Sequence, residues 1–128
     1  MRAAKDKGAE VFIIEDDDDV GQSLSEMLTE RGFGALAVRT GPKGLDLLGK
    51  GMVPRVIVLD PFTPNGWRAF RAAQHANPAW AGIPVLIGGI ERSESVAPTA
   101  PAREHHLGRP LDVDELLQLV NRYCRPWG

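Results

Sequence analysis

Cysteine is nearly absent: Cys124 is the single one in 128 residues, so the chain cannot close an internal disulfide. Long apolar runs are missing too. None approaches the ~18 residues that suggest a transmembrane helix, and no membrane partner is expected. The tail from Met1 to Glu10 is polar and lacks the apolar core of a secretory signal, which with the lone thiol suits a cytoplasmic protein. Neither sign of charge dominates. With 15 basic and 17 acidic side chains and a net charge of -2, there is no chain-wide attraction to nucleic acid or anionic lipid, and direct nucleic-acid binding is not expected. What remains is ordinary for a globular protein, 43% hydrophobic and 25% charged residues, at a length that fits one domain with a real core. The expected layout is a polar tail over 1–10 and a single domain over 11–125.

Apolar runs and helical stripes alternate along the chain. Val11 to Ile14 and Val56 to Leu59 are continuous apolar segments that read as strands buried on both faces, and each stops at an acid, Glu15 and Asp60. Pro84 to Ile87 is a third such run, ended by Gly88-Gly89, and Ala35 to Val38 is a shorter strand. Between them, Val20, Leu24, Met27 and Leu28 recur at helical spacing before Gly32. Thr40-Gly41-Pro42 opens a helix carrying Leu45, Leu47 and Leu48. A third helix is expected from about Trp67 to His75, with Trp67, Phe70 and Trp80 packing around it and His75 as a favourable charge at its end. Asp112 and Glu115 form a capping box for a last helix with Leu116, Leu117, Val120 and Tyr123 inward. Between Glu91 and Glu104 the prolines 98 and 101 leave mostly loop, because proline in a helix interior costs ~3 kcal/mol.

This alternation predicts an α/β fold, a parallel sheet with helices on both faces. In such sheets ligands bind beyond the carboxyl ends of the strands, where Glu15 to Asp19, Asp60 to Thr63, Gly88 to Ile90 and the segment near Arg109 lie. If the first and third strands are neighbours, Glu15, Asp16 and Asp60 converge. Hard oxygen ligands of this kind suit Mg²⁺, and without a cation some of the acids would have to stay protonated. Asp17, Asp18 and Asp19 read instead as a solvated cap favoured by the helix dipole. His105-His106 reads as structural, since adjacent strand residues point to opposite faces. Arg68 and Arg71 are too few to make an aromatic nucleic-acid platform of their neighbours.

The blocks VFIIEDDDDVGQSL, PRVIVLDPFTPNGW, AGIPVLIGG and GRPLDVDELLQLV, in this order and spacing, resemble those of response-regulator receiver domains over about Val11 to Cys124. The resemblance implies a flavodoxin-like doubly wound five-stranded parallel sheet of order 2-1-3-4-5, here with the fourth helix short or replaced by loop. It implies that Asp60 takes a phosphoryl group from a sensor histidine kinase or histidine phosphotransfer protein, that Glu15, Asp16, Asp60 and the Phe62 carbonyl hold Mg²⁺, and that an unknown downstream protein reads the result. With no effector domain after Cys124 in this sequence, output is expected to run through protein contacts, unless the chain is a piece of a longer protein.

Departures from the family pattern are expected to matter. Gly89 stands where the family has Ser or Thr, Arg109 where it has Lys, and His106 where it has an aromatic switch residue. Arginine keeps the charge but presents a planar fork. The Arg109-Pro110 bond is expected to be cis on the resemblance alone, and the loop after Asp60 is two residues short. These substitutions motivate an alternative, a pseudo-receiver acting as a phosphorylation-independent interaction module. A haloacid-dehalogenase-like phosphatase also uses a strand-end Asp but requires an acid two residues later, where this chain has Phe62. A turnover enzyme is therefore not expected.

Overall fold

The computed structural model describes residues 9–62, 66–88, 104–107 and 111–125. Among them the order is β1 (Val11–Ile14), α1 (Asp18–Glu30), β2 (Ala35–Val38), α2 (Gly41–Gly49), β3 (Val56–Leu59), α3 (Trp67–His75), β4 (Val85–Gly88), β5 (Glu104–Leu107) and α4 (Val113–Cys124). The five strands form one sheet in the order β2-β1-β3-β4-β5, and every neighbouring pair is parallel. Fold class and strand order match expectation. The stretch from Glu91 to Arg103 and the Arg109-Pro110 bond lie outside the described residues, as do Gly89 and Arg109 themselves.

Strands alternate their side chains between faces, and both faces here are dry. Val11, Ile13, Val56, Val58, Leu86 and Leu107 meet Leu28 of α1 and Leu116, Leu119 and Val120 of α4. On the other face Phe12, Ile14, Ile57, Leu59, Val85 and Ile87 meet Leu48 of α2 with Trp67 and Phe70 of α3. That double burial is why β1 and β3 are written in nothing but large apolar residues.

The caps explain where the helices begin. The Asp17 side chain accepts from the backbone N–H groups of Asp19 and Val20, Thr40 from Lys43, and Asp112 from Glu115, each satisfying donors with no partner inside the helix. Gly32, at φ +90, takes the left-handed turn after α1 that a side chain would resist.

Three expectations need adjusting. Val20 is 43% exposed, and its neighbour Gly21, against Ala37 of β2, is buried in its place. In α4 the most buried residues are Leu116, Leu119, Val120 and Cys124, while Leu117 is only partly covered. Gly88 continues β4 rather than ending it, paired with Leu107.

Gly44 sets how closely α2 approaches the sheet. A Cβ there would stand 2.8 Å from Cδ1 of Ile14, in a core with few voids. Gly44→Val is expected to cost ~1–3 kcal/mol through overpacking, read as a lower urea midpoint.

Candidate functional site

Register alone brings the acids together. Ile14 of β1 pairs with Leu59 of β3, so the next residues on each strand, Glu15 and Asp60, leave the sheet side by side. The Asp60 N–H donates to the Ile14 carbonyl at 2.9 Å, and the Glu15 N–H to the Val38 carbonyl at 2.9 Å. Glu15, Asp16 and Asp60 each present a carboxylate oxygen within 4.8 Å of the other two. Glu15 and Asp60 are half-buried and Asp16 is exposed.

Local backbone donors orient two of the three. The Phe62 N–H donates to Oδ1 of Asp60 at 3.1 Å, and the Asp17 N–H to Oε2 of Glu15 at 3.2 Å. The balance still favours protons. Burial pushes the Glu15 carboxyl up to about 7, against the pull of the Asp17 N–H, and the charges of Asp60 and Asp16 add to the rise. Burial likewise raises Asp60, with the Phe62 N–H working against it and Asp16 with it. Carboxylates that converge in this way lack a counter-charge. An all-oxygen donor set fits a hard divalent cation such as Mg²⁺.

The remaining site residues fall as follows. Phe62 sits in the turn after Asp60 with its side chain 61% exposed. Arg109, expected to stand in for the family's lysine, and Gly89, expected to lack the family's hydroxyl, lie outside the described residues. His106 is not at the carboxylates; it lies on β5 with its Nε2 2.7 Å from Oε2 of Glu104. His105 points to the opposite face, 2.6 Å from the Tyr123 hydroxyl, as the strand alternation requires.

Two features escape the sequence reading. Arg39, the first residue beyond β2, places Nε 3.3 Å from Oδ1 of Asp18 and Nη2 3.4 Å from the Asp16 carbonyl, pinning the acidic loop from one side. Its position just past a strand end was a usable signal. The second is a buried polar cluster of Arg71, Gln74 and Glu104, for which no local pattern exists.

No family model matches the chain. Transcriptional regulatory protein GlrR of Escherichia coli is 29% identical over 118 residues, which are 90% of this chain and 26% of that protein; the chain thus spans about a quarter of that relative's length. Among solved structures, the signal receiver domain of a histidine kinase from Syntrophus aciditrophicus aligns with TM-score 0.77 at 22% identity, over 94% of this chain and 92% of that one. The receiver domain of a sensor histidine kinase from Pseudomonas aeruginosa aligns with TM-score 0.74 at 17% identity, over 91% and 97%. That structure holds a magnesium ion coordinated in its active-site cleft. The fold is that of response-regulator receiver domains.

Proposed function

We propose that this chain is a receiver module of two-component signalling that accepts a phosphoryl group on Asp60 from the phosphohistidine of a sensor histidine kinase or histidine phosphotransfer protein. The observation that carries this reading is the meeting of Glu15, Asp16 and Asp60 at the carboxyl edge of the sheet, where doubly wound folds place their chemistry.

Carboxylates are established nucleophiles for phosphoryl groups. In the proposed step an oxygen of Asp60 bonds to phosphorus, the P–N bond of the donor breaks, and its electron pair stays on the donor imidazole. The Phe62 N–H fixes Oδ1 of Asp60 and so limits the rotation of the attacking group. Glu15, Asp16, Asp60 and the Phe62 carbonyl would hold Mg²⁺, which when bound offsets the charge of the transferring phosphoryl. Arg109 supplies a further positive charge in this reading, Gly89 contributes no hydroxyl, and His106 stands in for the aromatic switch residue.

The partners proposed are proteins, the phosphoryl donor and a downstream reader, and the setting is the cytoplasm. No helix among the described residues is long and apolar enough to cross a membrane. The chain acts as a signalling module whose only chemistry is gain and loss of its own phosphoryl group.

Incubation with acetyl phosphate and Mg²⁺ tests this through intact mass. The parent chain is expected to gain one phosphoryl group and Asp60→Asn none. A parent that gains nothing sinks the reading and leaves the phosphorylation-independent interaction module in its place.

A further inference from the structure

One cluster of side chains stands apart from the carboxylates and plays no part in the reaction above. Glu104 on β5 has a side chain only 1% exposed. Its Oε1 accepts from Nε of Arg71 at 2.7 Å, and its Oε2 lies 2.7 Å from Nε2 of His106. Nη1 of Arg71 donates to Oε1 of Gln74. Nε2 of Gln74 in turn donates to the carbonyls of Trp80 and Ile83 at 2.9 and 3.1 Å. The imidazole of His106 meets the Trp67 ring edge-on, with centroids 5.5 Å apart at 83°.

These contacts close a ring. It runs from Trp67 to His106, to Glu104, to Arg71, and returns to Trp67 along one turn of α3, since residues four apart share a helix face. Trp67 is also the first residue of the helix that leaves the acceptor loop. It follows Gly66, which has φ +81 and offers no side-chain cap. One edge of the ring thus lies on the first residue of α3, seven positions after Asp60 in the chain, and the other on β5. Buried polar networks of this kind fix a unique arrangement more than they add net stability. Nδ1 of His106 is buried with no hydrogen-bond partner among the described residues, so Glu104 is the polar contact that places this imidazole.

We infer that Arg71 and Glu104 are positioning residues that hold His106 against the first turn of α3, so that a change at Asp60 reaches β5 through this ring. The inference rests on Asp60 being the acceptor, and it assigns to two residues outside the carboxylate site the task of carrying its state across the sheet.

Histidine-selective NMR on the full chain tests it. His75, at the end of α3, and His105, on the far face of β5, are internal references for His106. In the parent, acetyl phosphate with Mg²⁺ shifts the His106 imidazole signals. In the double variant Arg71→Met with Glu104→Gln, which leaves no unpaired buried charge, that shift falls by half or more while intact mass still shows the phosphoryl group. Arg71→Lys, which keeps the charge, recovers part of the shift and guards against a double variant that fails to fold. A full shift in the double variant, or no His106 shift in a phosphorylated parent, overturns the inference. If no phosphoryl group is taken up, the acceptor reading fails separately. Asp60→Asn then supplies the perturbation, and an equal His106 change in the parent and Arg71→Met/Glu104→Gln backgrounds, or none in the parent, overturns the ring.

Discussion

Arg71→Met is expected to destabilise the fold by ~3–5 kcal/mol, the cost of leaving a buried charge without its partner. Arg71 is 6% exposed, and the Glu104 carboxylate that it neutralises is 1% exposed, so water cannot replace the lost guanidinium. His106 stays hydrogen-bonded to Glu104, and Gln74 loses one of its contacts. The damage comes from the orphaned carboxylate rather than from lost attraction. Adding Glu104→Gln to Arg71→Met is therefore expected to recover a large part of the loss, because a buried pair removed as a whole costs far less than one broken in half. Urea unfolding of the parent, both single variants and the double variant closes the cycle. If Arg71→Met alone proved as stable as the parent, the pair would not be buried as described.

The second large effect concerns pH and cations. The folded-state value of Glu15, about 7, lies above its ordinary one, so the folded chain binds more protons than the unfolded chain between these values. The stability contributed is fully present below pH ~4.5 and is lost as pH rises through about 7. Asp60, shifted in the same direction, adds to the trend. At pH 8 in chelator, Asp60→Asn is therefore expected to be more stable than the parent. The gain should shrink as pH falls towards ~4, where the carboxyls take up protons in the unfolded chain as well. Mg²⁺ at a hundred times its dissociation constant is expected to stabilise the parent by ~2.7 kcal/mol at pH 8 and Asp60→Asn by much less. Thermal unfolding across pH, with and without Mg²⁺, reads both signs. A parent whose stability rises from pH 5 to 8 in chelator would contradict the proton-retaining carboxylates.

What could be read from the sequence follows from where side chains end up. β1 and β3 were legible because both of their faces are buried, which leaves only large apolar residues. α2 and α4 announced themselves through Thr40 and Asp112, whose side chains cap the helices in the structure. β5 was not legible by hydrophobicity, since Glu104-His105-His106-Leu107 offers one aliphatic residue. Its polar side chains are accommodated by Arg71 of α3 and Tyr123 of α4, neither a near neighbour in sequence. For the same reason the burial of Arg71 left no signal in the sequence: its partner lies 33 residues away. Val20 misled because helical periodicity shows a stripe but not which residues at its margin the sheet covers. The carboxylate trio was legible only conditionally. The two strand-end acids were visible, while the adjacency of β1 and β3 that joins them came from the family resemblance and is present in the strand order of the sheet.

The central claim is that one carboxylate, Asp60, takes the phosphoryl group. Borohydride reduces an acyl phosphate to the alcohol, so treating the acetyl phosphate-loaded chain with borohydride converts a phosphorylated aspartate into homoserine. Fragment mass spectrometry then reads the position. The account predicts homoserine at position 60 alone, dependent on Mg²⁺ and absent without acetyl phosphate; reduction at Glu15 or Asp16 instead, or at no carboxylate at all, would contradict it.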